Sequence, residues 1–316
     1  MVGALSLESR IVLIVVRIYV YVRYWRLVKR FVSRIGFFPD PALPYQSVEK
    51  YLWRKLFDHD PRFIELSDKL QVKDFVQARF PEINVPRTLW QGDDPADIPD
   101  ELLKTDCVIK ANHGCEMNWF NRAGSADRPA MEKQCSKWLK KRHGARHYEW
   151  GYLGIKPKIF VEEMLFSGSE QVNRDYKLYM CGDVLNYCYV CLDRFGEETT
   201  HAVLDPDGNA QVMEILMANL SVPMPKPDHW DELVTTAKRL GHEFDHVRCD
   251  LFEIDGAIWF SELTFYPMAG YEWFEWPEVQ QNFAELWDIK RSWFLTTSHT
   301  GWKKRYANAL LEALSN

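Results

Sequence analysis

The spacing of apolar and polar residues changes several times along the chain, and each change marks an element. Ile11 to Val22 is strongly apolar, but Arg17 interrupts the run and Arg23 ends it. A bilayer span needs roughly 20 consecutive apolar residues, so this is not a transmembrane helix. A secretory signal is disfavoured too, because an arginine breaks the core and no small-residue cleavage site follows. Arg23, Arg26, Arg30 and Arg34 recur at helical spacing among Tyr24, Trp25, Leu27, Val28 and Phe31. Residues 1–40 therefore read as a basic amphipathic helical extension. It would lie on an anionic membrane surface, dock a membrane-bound protein, or pack on its own domain with the arginines in water.

Pro39, Pro41 and Pro44 end that segment. Helical spacing resumes over Ser47–Asp58 and Ile64–Arg79. Val85–Trp90 reads as a strand, and the Asp/Pro-rich Gly92–Asp100 as a surface loop. Cys107–Ala111 is a short buried strand leading into the loop Asn112-His113-Gly114, and Pro129–Arg142 is a helix. Lys158–Met164, Asn173–Cys181 and Val184–Leu192 read as strands. Asp228 is placed to cap a helix reaching about Phe244, with Trp230, Leu233, Ala237, Leu240 and Phe244 on one face. Two strands flank Asp255-Gly256, and helices near Pro277–Ile289 and Gly301–Leu314 follow. Strands cluster in the middle without regular alternation with helices, which predicts an α+β arrangement of antiparallel sheets.

Charge is unevenly distributed. Residues 1–35 carry seven Lys/Arg against Glu8 alone, whereas the remaining 281 residues hold 32 bases and 44 acids. An acidic body of this kind argues against nucleic acid as a partner. The seven cysteines are odd in number and scattered through apolar stretches, as expected of reduced cytosolic thiols. Cys188 and Cys191 form a lone CxxC inside a strand, where a separation of three puts them on opposite faces. No second pair completes a zinc site.

The stretch from His246 to Phe265 alternates on both sides of Asp255-Gly256 and reads as a hairpin. A two-residue turn sets Glu262 opposite Cys249. A three-residue loop, Ile254-Asp255-Gly256, instead pairs Arg248 with Glu262 and Asp250 with Phe260. The second register puts Arg248, Asp250, Glu262 and Thr264 on one face and Val247, Cys249, Leu251, Trp259 and Leu263 on the other. That clean partition favours it. Two neighbouring carboxylates repel unless a cation separates them, and Mg²⁺ prefers carboxylate oxygen with phosphate completing its shell. The alternative is the solvated face of a half-exposed hairpin.

Three lysines bear on that choice. Lys110 ends a buried strand, where an ammonium needs an anionic partner. Lys177 shares a strand face with Asp175, and Lys69 follows Ser67-Asp68. Strand lysines together with a carboxylate pair are what a Mg²⁺-bound polyphosphate requires. The Gly114 loop offers backbone N–H groups to phosphate. Neither GxxxxGK[ST] nor GxGxxG occurs. His242-Glu243-Phe244-Asp245-His246 matches HExxH, but Gly241 weakens the helix and alternation starts at His246, so the two histidines straddle a junction.

Taken in order, Leu66-Ser-Asp-Lys69, Val72-Lys-Asp-Phe-Val76, Val108-Ile-Lys110-Ala-Asn-His-Gly114, Phe160-Val-Glu-Glu-Met-Leu165, Asp175-Tyr-Lys177, Val247-Arg-Cys-Asp250 and Glu262-Leu-Thr-Phe-Tyr-Pro267 resemble the TupA-like branch of the ATP-grasp superfamily. The resemblance spans roughly residues 50–270. It implies an ATP-grasp fold in which two α+β subdomains sandwich ATP. The domains would then be the extension 1–40, an N-terminal subdomain 41–105, and ATP-grasp subdomains over 106–316. By the same resemblance, Lys69 and Lys110 bind the nucleotide, with His113 and Gly114 in the phosphate loop. Glu162, Glu163, Met164 and Leu165 form the hinge along adenine, and Asp175 and Lys177 lie on the strand that follows. Asp250 and Glu262 are the Mg²⁺ ligands, with Thr264 where many members have Asn. Arg248 and Lys110 are the catalytic candidates, Arg248 stabilising the group in transfer.

The activity so implied is an ATP- and Mg²⁺-dependent carboxylate–amine ligase working through an acyl phosphate. The branch's association with teichuronopeptide and surface-polysaccharide biosynthesis suggests a uronic acid and an amino acid as substrates. A membrane-bound glycosyltransferase, docked through residues 1–35 at the inner face of the membrane, would then be a partner. The run Tyr271-Glu-Trp-Phe-Glu-Trp276 could stack on sugar rings or simply pack the C-terminal helices. A sugar or polyol kinase on the same fold, and a non-catalytic membrane-docking subunit of a polysaccharide assembly complex, are the alternatives.

Overall fold

The computed structural model describes residues 5–124, 127–165, 174–192, 200–211, 214–215, 219–271 and 277–316. Helices α1 (Leu7–Arg23) and α2 (Trp25–Ile35) open the chain, broken at Tyr24, and Gly36 ends α2 in a left-handed conformation. Then come α3 (Ser47–Leu56), α4 (Arg62–Ser67) and α5 (Gln71–Arg79). The single helix expected over Ile64–Arg79 is thus two. Asp68 is extended, and its carboxylate accepts from the amides of Leu70 (2.9 Å) and Gln71 (3.4 Å), capping the start of α5. That break frees Lys69 from either helix.

A four-stranded antiparallel sheet follows, in spatial order β1 (Thr88–Gly92), β4 (Ile159–Glu163), β2 (Cys107–Ala111), β3 (Asn118–Asn121). β1 starts three residues later than the apolar pattern implied, and β3 had no sequence signal. Between these strands lie α6 (Asp100–Leu103), α7 (Arg128–Leu139) and α8 (Trp150–Leu153). One face of the sheet buries Cys107, Ile109, Ile159 and Val161 against Met131, Cys135 and Trp138 of α7.

The larger antiparallel sheet has six strands. In chain order they are β5 (Arg174–Cys181), β6 (Val184–Leu192), β7 (Thr200–Leu204) and β8 (Ala210–Gln211), then, after the short ribbon β9 (Glu214–Ile215) and β10 (Asn219–Leu220) and helix α9 (Trp230–Gly241), β11 (Val247–Ile254) and β12 (Ala257–Thr264). The spatial order is β12-β11-β5-β6-β7-β8. α9 ends at Gly241 rather than Phe244, and Asp228 does not supply its N-cap, a position held by His229. One sheet face packs Leu178, Met180, Cys249, Leu251 and Leu263 against Leu233, Ala237 and Leu240 of α9.

The other face is divided. One part carries Tyr179, Tyr187 and Val203 into a helical core formed with α1–α3 and with α10 (Pro277–Leu286), α11 (Trp293–Thr296) and α12 (Gly301–Leu314). The rest, towards β11 and β12, is charged. All seven cysteines are free.

Candidate functional site

The hairpin β11–β12 decides the site. Its turn has two residues, Asp255 (φ 51°) and Gly256 (φ 75°), between the paired Ile254 and Ala257. Two successive positive φ values are the signature of a type I′ turn, for which Asp-Gly is a preferred pair. The three-residue loop inferred from the sequence is therefore incorrect. A two-residue turn alone would set Glu262 opposite Cys249. Instead the register slips by one at Ser261, so that Leu251 faces Phe260 but Asp250 faces Glu262 and Arg248 faces Thr264. The bulge supplies the extra residue that the loop had been asked to supply. Arg248, Asp250, Glu262 and Thr264 share one face as expected, but Phe260 rather than Trp259 joins Val247, Cys249, Leu251 and Leu263 on the other. The pairs Arg248–Glu262 and Asp250–Phe260 are replaced by Arg248–Thr264 and Asp250–Glu262.

On this face the charges are tightly interlocked. Arg248 donates from Nε and Nη2 to the two oxygens of Asp250, each at 2.7 Å, and from Nη2 to Thr264 Oγ1 at 3.2 Å. Lys177, on the neighbouring β5, donates to Asp175 (2.7 Å) and to Asp250 Oδ2 (3.1 Å). Lys69 pairs with Glu262, and Arg248 Nη2 lies 3.6 Å from the same carboxylate. Burial alone would raise the pKa of Glu262, but Lys69, Arg248 and Lys177 reverse this and hold it well below the usual carboxylate range. Burial likewise works against the charge on Arg248, and Asp250 overcomes it, raising its pKa well above the ordinary value.

A second cluster sits on the four-stranded sheet. Lys110 on β2 pairs with Glu162 on β4, as the burial of an ammonium at the end of β2 demanded. Lys73 of α5 pairs with the same carboxylate and also donates to Pro86 O (2.8 Å). Burial opposes the charge on Glu162, but the two ammoniums prevail and lower its pKa. Burial lowers the pKa of Lys73, and Glu162 offsets this only in part. Lys73 falls within the stretch Val72-Lys-Asp-Phe-Val76, but its spacing assigns it no role. A lysine on a short amphipathic helix normally faces water, and only the fold brings Glu162 and Pro86 to it.

The segment at Lys69 links the two clusters. Its amide donates to Asn112 O at 3.0 Å, just beyond β2, while its ammonium reaches Glu262 on β12. Asn112 is buried and fully used: its amide nitrogen donates to Asp68 (2.9 Å) and Lys156 O (3.1 Å), and its oxygen accepts from the amide of Lys158 (2.7 Å).

His113 is buried and its Nε2 donates to Trp138 O and Lys141 O, both at 3.1 Å, at the end of α7. Its ring anchors the loop through Nε2, while Nδ1 is buried without a hydrogen-bond partner. Gly114 is hemmed in, since a Cβ there would meet the His143 ring and the Met117 methyl at 2.9 Å. Glu163 accepts from the amide (2.8 Å) and Nε (2.7 Å) of Arg87. Met164 and Leu165 follow β4, half-buried. The HExxH reading fails on geometry: His242 is exposed at the end of α9, whereas His246 is buried between Tyr51 and Met180 O. Residues 272–276 of the aromatic run lie outside the described residues, and Tyr271 packs under Arg34 and Lys55.

Among the described residues no group of three or more His, Cys, Asp or Glu is placed to hold a metal ion. Asp250, Glu262 and Thr264 offer two carboxylates and a hydroxyl, all hard oxygen donors. That set suits Mg²⁺, which takes one or two carboxylates and fills its octahedron with water and phosphate. Both carboxylates are now satisfied by cations, so a dication would compete with Arg248, Lys69 and Lys177.

A model of the TupA-like ATPgrasp family matches residues 49–286. Solved structures with similarity include the ATP-grasp ligase PsnB complexed with minimal precursor, at 16% identity over 82% of this chain and 63% of that one, TM-score 0.38. Another is the D-alanine–D-alanine ligase from Bacillus anthracis complexed with ATP, at 13% identity over 70% and 64%, TM-score 0.41. A third is the macrocyclase MdnC from Microcystis aeruginosa MRC bound with precursor peptide MdnA, at 12% identity over 75% and 68%, TM-score 0.39. The chain spans less than two thirds of the length of the first two. No curated protein matches the sequence.

Proposed function

The chain belongs to the TupA-like ATPgrasp family, and from that premise we propose that it is an ATP- and Mg²⁺-dependent carboxylate–amine ligase of surface-polysaccharide assembly. It would join an amino acid to a uronic acid. The observation that carries this reading is the juxtaposition of Asp250 and Glu262 across the hairpin, ringed by Arg248, Lys69 and Lys177.

In the resting protein these cations and anions neutralise one another, and the lysines of the second cluster do the same with Glu162. Nucleotide binding would exchange partners, with the ammoniums of Lys69, Lys110 and Lys177 passing to phosphate oxygens. When bound, Mg²⁺ would neutralise the charge between the β- and γ-phosphates, held by Asp250 and Glu262, with Thr264 beside them. We assign the backbone of His113 and Gly114 to the phosphates, and the backbone of Glu162, Glu163, Met164 and Leu165 to the adenine edge. Asp175 keeps Lys177 in place.

A substrate carboxylate oxygen then attacks the γ-phosphorus, the bond to the β-phosphate oxygen breaks, and ADP leaves. The amine nitrogen attacks the acyl carbon, the C–O bond to phosphate breaks, and the amine proton is lost. We assign to Arg248 the stabilisation of the charge that develops in both steps. The free thiols suit a reducing compartment, and we place the reaction in the cytoplasm.

ADP release measured against pooled uronic and amino acids tests this. Release that requires both an acid and an amine, and falls by at least about 10²-fold in Asp250→Asn, is the expected result. Release with a sugar or polyol alone would make the protein a kinase. Unchanged release in Asp250→Asn would refute the site.

A further inference from the structure

Helix α1 is amphipathic twice over. Leu13, Val16 and Val20 are buried in the helical core beside α12. Leu7, Ile11, Ile14, Val15, Ile18 and Val22 form a second apolar stripe on the opposite side, and it faces water. Leu7 and Val22, at its two ends, are 74% and 72% exposed. At 1.5 Å per residue the 17-residue helix carries this stripe for about 25 Å. Six aliphatic side chains in one solvent-facing row far exceed the scattered apolar residues normal on a surface. Where α1 meets α2, Val15, Ile18, Val22 and Trp25 line an open apolar bay of about 610 Å³, with Arg23 on its rim. Trp302 of α12, itself half exposed, stands 6.1 Å from Tyr19 and continues the patch onto a third helix.

The charges around the patch are predominantly basic. Arg10, Arg23, Arg26 and Lys29 are exposed along α1 and α2, and Lys303, Lys304 and Arg305 follow Trp302. Arg17 is taken up by Asp40, and Glu8 is the exposed acid of α1. This pattern selects the occupant. A second copy of the chain docked about a twofold axis would set this basic rim against itself. A surface that is both apolar and anionic satisfies stripe and rim together, with Tyr19, Trp25 and Trp302 at the depth where aromatic rings sit in a bilayer interface.

We infer that α1, with the start of α2 and of α12, lies flat on an anionic lipid membrane, the stripe Leu7–Val22 immersed among acyl chains and the arginines and lysines on the headgroups. None of the described helices is long and apolar enough to cross a membrane, so the attachment is peripheral and reversible. The inference stands independently of the ligase reading.

The test is co-sedimentation of the full chain with phosphatidylcholine vesicles with and without phosphatidylglycerol. Ile14→Glu/Ile18→Glu and Lys303→Gln/Lys304→Gln/Arg305→Gln are tested in parallel, with thermal midpoints confirming that these surface variants fold. The expected result is saturable binding to the anionic vesicles, weakened at least about tenfold by the glutamate pair and several-fold by the glutamine triple or by raised salt. Absence of binding at excess lipid, binding unchanged in the glutamate pair, or a concentration-dependent dimer that the glutamate pair dissolves would each overturn the inference.

Discussion

Glu162→Gln isolates the electrostatics of the lysine cluster. The substitution keeps the size of the side chain and removes the one carboxylate that neutralises both Lys73 and Lys110. Breaking a buried ion pair from one side typically costs about 3–5 kcal/mol, because the remaining charge is left uncompensated. Lys73 keeps its bond to Pro86 O, and the Lys110 side chain is 21% exposed and can draw on water. The lower end, about 3 kcal/mol, is therefore appropriate. For a chain of 316 residues that lowers the thermal midpoint by about 4–5 °C. Mg-ATP should reverse part of the loss. If phosphate takes over the ammoniums, nucleotide raises the midpoint more in the variant than in the parent, since the variant has no internal pairs to surrender. Differential scanning fluorimetry with and without Mg-ATP reads both quantities. An unchanged midpoint without nucleotide would refute the ion-pair reasoning. A nucleotide shift equal in the two proteins would remove these lysines from the phosphate site.

Three further outcomes follow from the same geometry. Glu262→Gln, which leaves Lys69 without its carboxylate partner, should abolish Mg²⁺-dependent ADP release while the protein remains folded, as judged by circular dichroism; activity within about tenfold of the parent would count against a role in catalysis. Gly114→Ala forces its new methyl against His143 and Met117, so the loop must shift, and the KM for ATP should rise about tenfold with kcat nearly kept. His246 is fully buried and pushed well below its ordinary pKa, first by burial and then by Arg54; its Nδ1 donates to Met180 O and its Nε2 accepts from Tyr51, which fixes it neutral. The unfolded chain takes up a proton there below about pH 6.5 and the folded one does not, so His246 alone should cost about 1.3 kcal/mol of stability between pH 7.5 and 5.5. His143 and His147, each lowered to about 4 chiefly by burial, act in the same direction. Asp58 and Glu149, raised by burial to about 8 and about 7, act in the opposite direction, so the His246 share is read by comparing the parent with His246→Gln. Urea midpoints that change equally in the two proteins over that interval would contradict it.

What could be read from the chain was whatever depends on neighbours in sequence. Alternation placed Arg248 with Asp250 on one face of β11 and Glu262 with Thr264 on one face of β12, because a strand's side chains alternate whatever the rest of the fold does. The apolar run before Lys110 required an anion, since a buried ammonium without one is too costly to keep. Arg17 within an apolar helix ruled out a membrane span.

What the sequence left open depends on residues that only folding brings together. The bulge at Ser261 arises where β12 must match both its turn and β11, and no local residue announces it. The break at Asp68 is a helix cap that also holds Asn112, 44 positions away. Lys73 became part of the charged site because β1 and β4 close over α5, not because of the residues beside it. Local sterics and side-chain alternation act over a few residues and so are written in the sequence. Burial and Coulomb pairing act across space, and their outcome was set only when the sheets and helices packed.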